Sequence, residues 1–202
     1  MKKIILTLAV AAFAVTSAFA QLTDGKFNID YKASSITWSA QKVTGSGHTG
    51  TVRVSSGQVT VAKSNITAAK VKVDMNGMTC TDLTDAEMNS NLINHLKSAD
   101  FFNTAAFPDA NFEVVSVKAQ ADKAGNTHMI TGKFTIKGIT KELSFPAKVT
   151  GTATEVTING TMNLDRSLFE VKYGSTSFFD SLGDKAINND IKLTFNLIAK
   201  KA

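Results

Sequence analysis

One cysteine and two arginines are all that 202 residues contain of those two types, and each scarcity excludes something. Cys80 stands alone, so no intramolecular disulfide is possible and the fold must be held by burial. A lone thiol is either a buried small apolar side chain or a free reactive group, and no histidine lies near it in sequence. Arg53 and Arg166 are the only guanidinium groups, whereas phosphate and base-edge recognition favours arginine. The lysines are scattered among polar strand positions, as on a solvated sheet face, which argues against a nucleic-acid partner. Beyond residue 20 no run approaches the ~20 consecutive apolar residues of a spanning helix, so no stable membrane insertion is expected.

Motifs that carry chemistry are equally sparse. His48, His95 and His128 are the three histidines, with neither HxH nor HExxH spacing, and four zinc ligands at a recognisable interval are missing. Gly45-Ser46-Gly47 lacks the Lys-Ser/Thr ending of a phosphate loop. Asp180, Asp184 and Asp190 do not match a calcium loop. No GxSxG elbow is present. No metal, cofactor or catalytic residue is expected.

The first twenty residues have the form of a secretory leader. Lys2 and Lys3 precede an apolar run from Ile4 to Val15, and Ala18-Phe19-Ala20 supplies small residues for cleavage before Gln21. No cysteine follows the cleavage point, so a lipid anchor there is not expected. Export to a periplasm or the medium is the expectation, with residues 21–202 forming one domain. Without Lys2 and Lys3 there are 20 basic residues against 17 acidic, a mild net +3.

Most of that domain alternates with period two. Ile36, Trp38 and Ala40 share one strand face. Val52 and Val54, a turn at Ser55-Ser56-Gly57, then Val59 and Val61 read as a hairpin. Val71, Val73 and Met75 alternate with Lys70, Lys72 and Asp74. Ile130, Phe134 and Ile136 precede a turn at Gly138-Ile139-Thr140, and Leu143, Phe145, Ala147 and Val149 follow it. Val156, Ile158, Gly160, Met162 and Leu164 form the next strand, and Ile191, Leu193, Phe195 and Leu197 the last. Half-polar strands with short connections fit an antiparallel all-β fold, and about eight of them close into a barrel or pack as a sandwich.

Two stretches break the rhythm. Thr84-Asp85-Ala86-Glu87 reads as a capping box, with Leu83 and Met88 as a hydrophobic staple. Met88, Leu92, Ile93 and Leu96 then form one stripe, so a helix is expected near residues 85–97. Phe101, Phe102 and Phe107 extend the apolar surface, and Pro108 ends it before the strand at Phe112. The second stretch, 166–188, is long for a loop and therefore a candidate functional segment. Eleven of the thirteen phenylalanines fall after residue 20. They can be core, or they can line the interior of a barrel with room for one ligand.

Several segments together resemble the YceI family. They are Ser35-Ile36-Thr37-Trp38, His48-Thr49-Gly50-Thr51-Val52 and His95-Leu96-Lys97-Ser98-Ala99-Asp100-Phe101-Phe102. To these are added Phe107-Pro108 leading to Phe112, Gly132 to Lys141, and Arg166-Ser167-Leu168-Phe169 with Tyr173-Gly174. Glu170 departs from the pattern, standing where many members carry glycine. The resemblance implies an elongated antiparallel lipocalin-like β-barrel that binds rather than catalyses. Its pore would take a long apolar amphiphile of polyisoprenoid, quinone or fatty-acid type, in a carrier or sequestering protein that is a monomer or homodimer. The apolar wall is then expected to include Trp38, Phe112, Ile130, Phe134, Phe145, Ile158, Met162, Leu193 and Phe195. Arg166 and His48 are the candidates for a polar head group; an ion pair of Arg166 with Asp165 or Glu170 is the alternative. A lipid-acting enzyme would instead bring His48 or His128 together with a carboxylate inside the pocket, and a structural envelope protein would have a filled core.

Overall fold

The period-two segments become one continuous antiparallel sheet that closes on itself. A computed structural model describes residues 22–202; the leader expected over residues 1–20 lies outside the described residues. The strands are β1 (Gly25–Ile29), β2 (Ser35–Gln41), β3 (Gly47–Ala62), β4 (Asn65–Cys80), β5 (Asp109–Ala119), β6 (His128–Ile136), β7 (Ile139–Gly151), β8 (Glu155–Asp165) and β9 (Asp190–Lys201), with helix α1 (Ala86–Lys97) between β4 and β5. Eight strands, β2 to β9, form the ring, closed by the β2–β9 and β3–β4 pairings. β1 lies beyond the end of β2, bridging the far halves of β3 and β9. β3 and β4 run 16 residues each, about 50 Å of extended chain, so the barrel is elongated.

The connections differ at the two ends. Short turns close the lower rim, where Lys63 and Ser64 sit at positive φ with their amides held by the Asp24 carboxylate. The upper rim carries α1 and the 166–189 segment. At that rim β6 and β7 are joined by Lys137-Gly138, both at positive φ, the two-residue turn whose twist matches its strands. Inward positions of successive strands supply the core: Val71 from β4, Ile130 from β6, Phe145 and Val149 from β7, Val156 and Ile158 from β8, and Ala199 from β9 are all buried. Lysines and threonines face outward.

Three local expectations change. The residues read as a hairpin, Val52 to Val61, lie in the single strand β3. Its pairing with β4 shifts register between Thr51 and Arg53 and again between Val54 and Ser56. These bulges absorb the odd spacing from Val54 to Val59 that looks like a turn. His48, placed by sequence in a glycine loop, is likewise in β3. At α1 the cap is Asp85, not Thr84: Asp85 is extended and its side chain accepts from the Met88 amide at 2.8 Å. Met88 is 60% exposed, so it does not staple to Leu83; the packing stripe is Leu92, Ile93 and Leu96, set against Trp38, Met75 and Met78.

Glu170 ends the short 3-10 turn Arg166–Phe169 in the left-handed region, at φ 54° and ψ 34°. A side chain there costs about 1–2 kcal/mol, which gives a physical reason for glycine at this position. Its carboxylate lies 3.6 Å from Lys172, with both side chains about half exposed, a pair that contributes little. Glu170→Gly is therefore expected to stabilise the chain by about 0.5–1 kcal/mol after the added freedom of the unfolded state. A thermal midpoint raised by roughly 1–4 °C would show it.

Candidate functional site

The ring encloses an apolar cavity of about 200 Å³, larger than the ~150 Å³ apolar cavity that stays dry and takes up benzene. It reaches from Ile29 and Ile66 near the lower rim to Leu164, Leu96 and Arg166 at the upper one. All nine expected wall residues line it: Trp38, Phe112, Ile130, Phe134, Phe145, Ile158, Met162, Leu193 and Phe195. The alternation that made them legible is the cause, because each occupies an inward position of its strand. Met75 and Met78 of β4, Leu96 of α1, Phe101, Phe102 and Ile187 also contribute. Sequence reasoning did not assign these to the site, although the stripe on α1 pointed the helix toward the barrel.

Four phenylalanines form a continuous wall. Phe112 packs on Phe134 and on Phe145 with centroids 4.8 and 5.7 Å apart, and Phe145 meets Phe195 edge-on at 5.4 Å. Two glycines make room for them. A Cβ at Gly132 would stand 2.2 Å from the Phe112 ring, and one at Gly160 would stand 2.4 Å from Phe195. The rings thus lie flat over backbone, leaving the lumen open.

Among the described residues only Asn111 and Arg166 bring polar side chains to this wall, beyond the indole N–H of Trp38. Trp38 donates that N–H to the Thr79 carbonyl at 3.2 Å. Arg166 is 2% exposed. Its Nε donates to Asn188 O, Nη1 to Val171 O and Tyr173 O, and Nη2 to Ile187 O, at 2.8–3.2 Å. One of the five guanidinium protons remains outside these bonds. Burial pushes the Arg166 pKa down, opposed by Asp165, yet neither Asp165 nor Glu170 forms the ion pair offered as its alternative role. Asp165 accepts from the Ser167 amide and hydroxyl, and Glu170 faces Lys172.

The histidines do not enter the lumen. His48 pairs with Asp82 at 3.0 Å on the rim. His95 contacts Asp100 at 3.2 Å and sits edge-on between Phe101 and Tyr173, tying α1 to the 166–189 segment. His128 is half-buried beside the Thr127 hydroxyl, its pKa lowered by burial. The convergence of His48 or His128 with a carboxylate inside the pocket, which a lipid-acting enzyme requires, is not what the barrel presents.

A closed eight-stranded antiparallel barrel with an apolar lumen and one helix across its rim is a lipocalin-like fold. The YceI-like domain model matches residues 27–199, and the chain belongs to the YceI family. Protein YceI of Escherichia coli O157:H7 is 41% identical over 81 residues, 40% of this chain and 38% of that one; the match spans well under half of the curated relative. BcnA of Burkholderia cenocepacia superposes with a TM-score of 0.65 at 22% identity over 85% of this chain and 99% of its own. A polyisoprenoid-binding domain from Saccharophagus degradans, implicated in plant cell wall breakdown, gives 0.65 at 15% identity over 89% and 100%. These superpositions establish the shared fold.

Proposed function

We propose that this chain is an exported carrier or sequestering protein that holds a long apolar amphiphile, of polyisoprenoid, quinone or fatty-acid type, in the barrel lumen without chemical conversion. The observation that carries the reading is the wall itself, to which, among the described residues, Asn111 and Arg166 alone bring polar side chains apart from the indole of Trp38. Such a wall offers no nucleophile and no base. It offers about 0.8 kcal/mol for each methylene taken from water, so ten buried methylenes contribute on the order of 8 kcal/mol before the costs of association. The polyisoprenoid-binding name of the Saccharophagus degradans domain supports the same ligand class. The polar head belongs at the upper rim, where Arg166 carries a buried positive charge and an uncommitted Nη2 proton. Export rests on the leader-like residues 1–20.

Native mass spectrometry of the chain purified from its own host tests the proposal. The expected result is a mass above that of the protein, with the excess extractable into organic solvent, and quenching or enhancement of Trp38 emission when a fluorescent prenyl or acyl probe is added. A chain recovered lipid-free that also fails to take up the probe would remove the carrier reading.

A further inference from the structure

We propose that His48, Cys80 and Asp82 form a binding site for a zinc-type divalent cation on the upper rim of the barrel, distinct from the lipid lumen. The β3–β4 register makes the site. Gly50 pairs with Cys80 and Thr51 with Thr79, so continuing the ladder outward sets His48 opposite Asp82. Cys80 and Asp82 are two apart and point to the same face. Residues 34 positions apart in sequence are thereby joined. The ring of His48, the Cys80 thiol and the Asp82 carboxylate offer ligand atoms within 4.8 Å of one another.

Two of the three separations are hydrogen-bond distances. His48 Nδ1 lies 3.0 Å from Asp82 Oδ2, and Cys80 Sγ lies 3.2 Å from Asp82 Oδ1. Two ligands of one tetrahedral zinc stand about 3.3–3.6 Å apart, given its usual bond lengths, so small rotamer changes suffice. The donor set selects the metal. Calcium and magnesium take oxygen ligands, whereas thiolate with imidazole and carboxylate suits zinc and its neighbours. Three protein ligands leave a fourth position, and it faces solvent: the His48 and Asp82 side chains are 40% and 35% exposed, while Cys80 is buried.

The supporting contacts are in place. The Thr49 amide donates to Asp82 Oδ1 at 2.8 Å, and Thr81 N–H donates to Thr49 O. Asn89 of α1 donates to the carbonyls of Cys80 and Leu83, fixing the backbone on which two of the ligands stand. Opposite Cys80, Gly50 leaves its space to the Trp38 indole, which a Cβ there would meet at 2.6 Å. A catalytic Cys–His–Asp relay is a poorer match, because the thiol proton is directed to the carboxylate and not to the imidazole. A thiol is also a weak hydrogen-bond donor, which adds little to a simple strand clasp. It adds much to a metal site.

Binding a divalent cation converts the Cys80 thiol to thiolate and releases its proton to solvent. The experiment titrates the reduced, chelator-treated full chain with Co²⁺ and then Zn²⁺. Expected are a thiolate-to-cobalt charge-transfer band with tetrahedral visible bands, proton release, and displacement of cobalt by zinc. Cys80→Ser should abolish the charge-transfer band. Cys80→Ser, His48→Gln and Asp82→Asn should each lower zinc affinity by at least about 10–100-fold, the range reached by loss of supporting contacts alone. His128→Gln should leave it unchanged. Circular dichroism of the metal-free variants checks folding, and the near-isosteric Cys80→Ser keeps the test valid if Asp82→Asn does not fold. Absence of the thiolate band in the wild-type chain, or zinc affinity unmoved by Cys80→Ser, would overturn the site and leave a hydrogen-bonded clasp. Lumen occupancy enters neither readout, so the lipid reading and this one fail separately.

Discussion

Arg166→Ala is expected to destabilise the chain by about 3–5 kcal/mol, because a buried guanidinium and four hydrogen bonds from a charged donor are lost together. Four carbonyls accept from this one guanidinium: Val171, Tyr173, Ile187 and Asn188. They come from both arms of the long segment after β8, so Arg166 is the knot that folds this segment over the upper rim. Without it, each carbonyl loses its partner at a cost of about 1–3 kcal/mol, reduced where water enters. The thermal midpoint should fall by roughly 6–20 °C, and limited proteolysis should cut between residues 170 and 188. Arg166→Met separates the two contributions, because it keeps an apolar stem and removes only the donors. Stability of Arg166→Met equal to the wild type would show that the four bonds contribute nothing. Arg166→Lys should fall between, since an ammonium cannot span four carbonyls with a planar fork.

The same residue shows where sequence reading stops. Arg166 stood out because guanidinium groups are rare in this chain, but nothing in the sequence marks a backbone carbonyl as a partner. Its structural work became visible only with the segment folded. The barrel, by contrast, was legible because alternation at fixed period survives from Ile130 to Leu164 without a bulge: the wall residues of β6, β7 and β8 are inward by parity alone. Where bulges interrupt parity, in β3, a single strand looked like a hairpin. At α1 the capping-box spacing pointed to Thr84, one residue early; the cap is set by the Asp85 carboxylate on the Met88 amide, a backbone geometry that composition does not encode. The cluster of His48, Cys80 and Asp82 had no readable spacing at all. Its ligand interval is set by strand register, not by chain distance, so a search for metal motifs along the sequence passes over it.

Gly132→Ala together with Gly160→Ala is expected to close part of the lumen with two methyl groups. Neither Cβ can be accommodated as the rings stand, at 2.2 Å from Phe112 and 2.4 Å from Phe195. Outside the rings lies only backbone: Glu113 O is 2.8 Å from the first Cβ and Pro146 O is 3.1 Å from the second. The rings must therefore turn inward, into the space a ligand chain would use. Excluding about three methylenes costs about 2.4 kcal/mol of binding, close to a fiftyfold loss of affinity. The stability cost falls chiefly at Gly132, where the Cβ also meets the Glu113 carbonyl, whereas at Gly160 inward rotation of the ring fills an existing cavity. Titration of the double variant with a fluorescent acyl or prenyl probe, alongside a thermal melt, separates the two effects. Unchanged probe affinity in a folded double variant would mean that the ligand does not occupy the wall formed by Phe112 and Phe195. A shorter probe should recover part of the loss, since a chain that ends below the displaced rings no longer meets them.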